Sequence, residues 1–217
     1  MSNQIARAPA SIVTLFALIA LAGSSCASAV AHSSNRNTPP VTAAVTSPCE
    51  NAGTTPEATN IAAVEQATMC LVNQARGQHD MTALLPNIDL QETAEAHNND
   101  MIAEGYFAQS SSSGVTLLSR VRLTGYFANE PSSDLVGQNI AWGTGALATP
   151  SAIVSSWTSS PAVLTNILQA YTDTGVAITA QIPASLSAGQ PGATYTQDFG
   201  ASTPASASKS ASRRARR

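Results

Sequence analysis

Three histidines, three cysteines and 13 carboxylates are the residues of this 217-residue chain that could do metal, nucleophilic or acid–base chemistry. The histidines stand apart. His32 lies in a Ser/Thr/Pro/Ala-rich stretch and His79 in the turn Gly77-Gln78-His79-Asp80. Only His97 has a carboxylate at helical spacing, Asp100 at i+3. Such a pair supplies two of the three or four N, S or O ligands that zinc takes. His97 also shares an apolar face with Leu90, Ala94 and Met101, the setting of a hydrogen-bonded, near-core histidine, and that is the reading adopted. Serine is abundant, yet there is no G-x-S-x-G elbow, phosphate loop, paired-cysteine zinc motif or dinucleotide fingerprint. No residue is therefore assigned a catalytic, cofactor-binding or metal-binding role.

The cysteines point to export. Residues 1–31 read as a secretory signal: Arg7 is the positive region, Ile12 to Ala22 is an apolar run of 11 residues, and Ala27-Ser28-Ala29 and Ala29-Val30-Ala31 offer cleavage sites. That run is shorter than the ~20 residues a spanning helix needs. Cys26 is the rival feature, as a lipoprotein cysteine, but Gly23 stands where such a signal places a Leu-like residue. Cleavage after Ala29 or Ala31 removes Cys26 and leaves Cys49 and Cys70, an even count that predicts one disulfide in an exported chain. In the loop-entropy account it contributes about 3 kcal/mol. Charge is uneven: residues 32–200 carry four Arg against 13 Asp or Glu, a net −9, while 201–217 carry +5. An acidic domain of this kind is not a nucleic-acid reader.

The elements that must position any site follow from periodicity. Residues 32–54 form a linker without periodicity and 201–217 a basic tail expected to be disordered. The domain is expected at 55–200. Thr55-Pro56-Glu57, or Asn60 in competition, starts a helix carrying Ile61, Val64, Thr68, Leu71, Val72 and Ala75 and ending by Gly77. Asp89 to Glu92 resembles a capping box before a second helix that runs to Glu104. Leu117 to Thr124 predicts a short third. Asn139 to Trp142 reads as a buried strand broken by Gly143 and Gly145. Thr149-Pro150 caps a helix with Ile153, Val154 and Trp157 on one stripe, and Ser160-Pro161 starts another with Leu164, Ile167 and Leu168. Gly175 to Ile182 and Ala193 to Phe199 are strand candidates joined as a hairpin. Trp142 and Trp157, the only tryptophans, are expected in the core.

Six stretches, in order, resemble one family. Leu71-Val72-Asn73-Gln74-Ala75-Arg76 resembles L-x-N-x-x-R, and Ala96-His97-Asn98-Asn99-Asp100-Met101 resembles A-H-x-x-D-M. Tyr106-Phe107-Ala108-Gln109-Ser110 stands for Y-F-S-H-x-S, and Gly137 to Gly143 for G-E-N-I-A-W-G. Trp157, then Ser160-Pro161-Ala162-Val163 and Asn166-Ile167-Leu168, stand for W-x-x-S-P-G-H-R-x-N-I-L, and Tyr195 with Asp198-Phe199-Gly200 for Y-x-x-D-F-G. The chain is similar over about Val64 to Gly200 to the bacterial branch of the CAP superfamily (cysteine-rich secretory proteins, antigen 5, pathogenesis-related 1), the SCP domains. The resemblance implies an α+β fold, an α-β-α sandwich with a small antiparallel sheet between helical layers.

It also implies a central cleft where relatives keep histidine and glutamate able to hold a divalent metal. Here those positions are Gln109, Gln138 and Val163. An amide oxygen is a weak neutral ligand, valine is none, and neither glutamine is a general acid or base. His97, Asn139, Trp142 and Asn166 are kept as cleft-lining or scaffold residues. The reading is a secreted, monomeric, non-catalytic domain without cofactor or spanning segment in its mature form, binding a lipid, small molecule or protein at the cell envelope. The alternative is a secreted, peptidase-like hydrolase using some other site.

Overall fold

The computed structural model describes residues 48–127, 135–186 and 190–201; the expected signal, Cys26, residues 32–47 of the linker and 202–217 of the basic tail lie outside them. In chain order the elements are α1 (Ile61–Gln78), β1 (Leu85–Pro86), α2 (Ile88–Ala103), α3 (Leu117–Thr124), β2 (Leu135–Thr144), a 3-10 turn (Gly145–Ala148), α4 (Pro150–Ser159), α5 (Pro161–Ile167), β3 (Asp173–Thr179) and β4 (Gly192–Ala201). The strands form one sheet in the order β1-β3-β4-β2. Helices α1, α4 and α5 cover one face and α2 and α3 the other, the expected three-layer sandwich.

Local chemistry explains most boundaries. Thr149 Oγ1 accepts from the Ala152 N–H, and Pro150 opens α4 where its missing N–H costs nothing. Thr116 and Ser119 form a reciprocal capping box for α3, and Gly125 ends that helix at φ 90°. The Cys49–Cys70 disulfide forms, tying the segment before α1 to its middle. Asn73 exchanges two hydrogen bonds with the backbone of Leu84, at 2.8 and 3.1 Å. Arg76, 1 % exposed, donates to the carbonyls of Thr82, Ile167, Gln169 and Tyr171. The L-x-N-x-x-R stretch is thus a clamp from α1 to the loops at one end of the sheet.

Four expectations need correction. β1 was not foreseen, and its parallel pairing with Asp173 and Thr174 of β3 makes the sheet mixed rather than antiparallel. Two residues, one a proline, carry no periodicity, and an edge is where a strand tolerates proline. That pairing moves the start of α2. The Asn87 N–H donates to Thr174 O, which holds Asn87 extended, and Asn87 Oδ1 then caps the Leu90 N–H at 3.1 Å. Asp89 sits inside the first turn, where a carboxylate still favours the helix dipole. Asn60 takes the cap position of α1, but its side chain serves the preceding turn, accepting from Glu57 N–H and donating to Thr55 O. Trp142 is not core: it lies on the outermost strand and is 38 % exposed, whereas Trp157 is 3 % exposed.

The larger core joins Val64, Val72, Ile153, Val154, Trp157 and Ile167 to Val176, Ile178, Tyr195 and Phe199 of the sheet. On the opposite face the packing is closer to backbone. A Cβ at Gly175 would stand 2.1 Å from the Gln91 nitrogen, so glycine is what lets α2 lie directly on β3.

Candidate functional site

β2 is the edge strand next to α5, and its register with β4 fixes which way its groups point. Residues with their carbonyls turned outward alternate with residues bonded to β4. Two outward carbonyls are met by side chains. Gln138 O accepts from Gln109 Nε2 and from Asn166 Nδ2, each at 3.3 Å, and Ile140 O accepts from Trp157 Nε1 at 3.5 Å. Asn166 also donates to Asn139 Oδ1 at 2.9 Å and accepts from the Tyr171 hydroxyl at 2.8 Å. Asn139 and Asn166 therefore tie the strand to α5 and to the loop that follows it. The approach is tight: a Cβ at Gly137 would stand 2.1 Å from the Tyr171 hydroxyl oxygen.

A groove of ≈ 410 Å³ opens over this edge. Gln109, Gln138 and Val163, from three separate parts of the chain, all line it, with Ser110, Asn139 and Asn166 as further polar groups. Leu117, Val136 and Ala162 supply apolar wall. Among the described residues, the lining carries no imidazole, thiolate, carboxylate or cationic side chain. Among the described residues no group of three His, Cys, Asp or Glu could hold a metal ion. This donor set does not fit the metal that the family's cleft can hold, because zinc binds nitrogen, thiolate or carboxylate and not a pair of neutral amides.

His97 and Trp142 are outside the groove lining. His97 is fully buried, and its Nε2–H donates to Ala108 O at 2.9 Å, which leaves Nδ1 buried without a hydrogen-bond partner. Burial, reinforced by the charge of Arg120, pushes the imidazole down to about 4, so it is neutral at physiological pH. Asp100 accepts a short hydrogen bond from the Tyr106 hydroxyl, and Arg120 donates to Gln109 O at 3.1 Å. Together these residues of α2 and α3 hold the segment that delivers Gln109. The A-H-x-x-D-M stretch is a brace for one wall of the groove.

A carboxylate missed by sequence reasoning stands behind the groove. Asp198 is fully buried, and its Oδ1 accepts from Gln138 Nε2 at 2.8 Å. Burial pushes it up to about 7, against the pull of the Gln138 hydrogen bond and of Arg120. Asp198 Oδ2, Gln138 Oε1 and Arg120 Nε are buried without hydrogen-bond partners. An amide at 138 can donate to that carboxylate; a glutamate could do so only when protonated. Asn98 was missed as well. It donates to Ala177 O and Thr194 O and accepts from Thr196 Oγ1, stitching α2 to β3 and β4. The signal for Asp198 was its place in Thr196-Gln197-Asp198-Phe199, a lone acid in a strand buried on both faces.

A sequence model of the cysteine-rich secretory protein family, CAP, matches residues 69–184, more than half of the chain. The chain belongs to the CAP family. Three of its solved likenesses are bacterial. An extracellular protein containing an SCP domain from Bacillus anthracis is 23 % identical with a TM-score of 0.50, over 66 % of this chain and 41 % of that one. An outer surface protein of Borrelia burgdorferi is 13 % identical, TM-score 0.48, over 62 % of this chain and 90 % of that one. A cysteine-rich secretory protein of Staphylococcus aureus is 15 % identical, TM-score 0.46, over 67 % of this chain and 40 % of that one. The likeness to the first, under a quarter identical, is one of fold alone, and the chain matches about two fifths of its length. No curated protein matches.

Proposed function

We propose that this CAP domain, spanning 55–200, is an exported, non-catalytic binding module whose cleft has lost the family's metal and acid–base groups. One observation carries the reading: Gln109, Gln138 and Val163 converge on one groove whose described lining residues are uncharged. A groove of donors and acceptors without charge selects a neutral, hydrogen-bonding ligand, since an ion would lose its hydration there without a counter-charge. The Cys49–Cys70 disulfide supports an oxidising compartment, in keeping with residues 1–31 as an export signal. Among the described residues no helix is long and apolar enough to cross a membrane.

Zinc titration by calorimetry at neutral pH tests the proposal. The unmodified protein gives no binding heat, and the triple change Gln109→His, Gln138→Glu, Val163→His creates weak binding in a folded domain. The structure adds a condition to that gain. The new carboxyl at 138 faces Asp198, and two carboxyls at that distance share one proton, so zinc binding by the triple variant strengthens as pH rises. Tight one-to-one binding by the unmodified protein, retained after His97→Ala, would overturn the reading. So would hydrolysis of general peptide or ester substrates that Gln138→Ala abolishes.

A further inference from the structure

The other edge of the sheet is only partly covered. β1 pairs with β3 at Asp173 and Thr174 alone. Leu85 N–H donates to Thr172 O and Asn87 N–H to Thr174 O, each at 2.9 Å, so even-numbered residues turn their main-chain groups outward here. Val176 and Ile178 continue that series past the end of β1. The Ile178 N–H donates to Glu65 Oε1, on α1, at 3.1 Å. A cavity of ≈ 310 Å³ lies along this stretch, lined by Glu65, Gln66, Met69, Pro86, Gln91 and Val176 among others.

A carboxylate is an unfavourable cap for this position. Burial pushes Glu65 up to about 7, and the charge of Glu95 on α2 acts in the same direction, against the hydrogen bond from Ile178. Gln91 Nε2 donates to Glu95 Oε1 at 3.0 Å, so α2 holds that second carboxylate in place. Glutamine at 65 would accept the same N–H with neither the desolvation nor the repulsion. A carboxylate facing a cavity, beside a strand edge that β1 covers at only two residues, is suited to an extended strand that brings a cation with it.

We propose that the outer edge of β3 is a docking site for an extended peptide segment bearing a lysine or arginine, which pairs with the main chain of Val176 and Ile178 and places its cation against Glu65. Main-chain pairing gives affinity and the acidic slot gives specificity, as in other strand additions. The incoming carbonyl takes over the Ile178 N–H and frees Glu65 for the cation. The net −9 of residues 32–200 attracts such a segment from a distance. This site is independent of the groove at β2.

The test uses the full chain and a blocked, fluorescently labelled Thr-Val-Lys-Val-Thr peptide, with its Gln analogue in place of Lys. Anisotropy reads affinity, and amide hydrogen exchange reads Val176 and Ile178. The Lys peptide binds and protects both amides. The Gln analogue, and the Glu65→Gln variant with the Lys peptide, bind about tenfold more weakly, the scale of one charge-assisted hydrogen bond. Affinity rises from pH 6 to 8 as Glu65 ionises. Equal affinity for the two peptides, or no protection at Val176 and Ile178, overturns the proposal. A second full-length variant replaces Lys209, Arg213, Arg214, Arg216 and Arg217 by Ser. Binding seen only in that variant would make the chain's own 202–217 segment the occupant and overturn the claim of an external partner.

Discussion

Along β2 the outward carbonyls of Gln138 and Ile140 are met by Gln109, Asn166 and Trp157, all neutral donors. Along β3 the outward N–H of Ile178 is met by the carboxylate of Glu65, whose proton is held by partial burial and by the charge of Glu95. Both arrangements answer the same problem, since an uncovered strand edge invites pairing with another chain. They answer it at different electrostatic cost. Neutral amides satisfy a carbonyl at every pH, so the β2 edge is held firmly and without titration. A half-buried carboxylate satisfies an N–H only at a cost in its own solvation, so the β3 edge is held conditionally. The firm edge is a wall of a groove; the conditional edge is one that another strand can enter.

The largest effect is expected at the firm edge. Asn166→Ala removes donors to Gln138 O and Asn139 Oδ1 and the acceptor of the Tyr171 hydroxyl in one change. Gln138 O keeps its bond from Gln109, and the two groups left unsatisfied cost about 1 kcal/mol or more each, which with the lost third bond predicts a loss of about 2 to 3 kcal/mol. Urea unfolding at pH 5 and pH 8 checks it, and the loss is the same at both. A loss under about 1 kcal/mol would mean that the edge is held by packing and not by its amides.

How far the two edges could be read from sequence differs for the same physical reason. The firm edge uses residues adjacent to recognisable motifs. Gly137 to Trp142 marked β2, Thr149-Pro150 marked α4, and the spacing of Asn166 after Pro161 placed it on α5, so the groove and its three family positions could be expected together. The conditional edge depends on a two-residue strand and on Glu65, the single acid of α1, whose partner Ile178 lies 113 residues away. Trp142 was misplaced because periodicity tells which residues share a face but not whether a strand is central or outermost. Asp198 was quoted as part of the Asp198-Phe199-Gly200 match but not as a site group, because its partner Gln138 lies 60 residues away.

Asp198 sharpens the comparison, because it puts a titrating group one layer behind the neutral edge. Its carboxyl is raised from 3.8 to about 7, so its contribution to stability is full below about pH 4 and is lost as pH rises through about 7. His97 acts the other way, lowered from 6.5 to about 4. Its contribution is full above about pH 6.5 and is lost as pH falls through about 4. Asp198→Asn removes the first term and keeps an acceptor for Gln138 Nε2. The variant therefore gains relative to the unmodified protein between pH 4 and pH 8, on the order of 2 kcal/mol once the lost attraction to Arg120 is set against it. Chemical unfolding across that range reads the difference. A difference that does not change with pH would mean that Asp198 is ionised throughout, held so by Arg120.

The smallest effect on stability is expected at the conditional edge, and its sign is what matters. Glu65 is raised from 4.5 to about 7 in the folded protein, so the stability linked to its proton is present below about pH 4.5 and lost as pH rises through about 7. Gln at 65 does not titrate and still accepts from Ile178. Glu65→Gln is then close to neutral at pH 5, where the glutamate is protonated in the fold, and stabilising at pH 8, by less than about 1 kcal/mol because the site opens to solvent. Paired thermal melts at the two pH values measure the difference, and comparing variant with parent cancels the contributions of Asp198 and His97. A variant less stable at pH 8 than its parent would mean that the ionised carboxylate strengthens the fold there, and the β3 edge would be as firmly closed as β2. A variant that gains with pH leaves the carboxylate without a structural reason, and binding a cation is then the role that accounts for it.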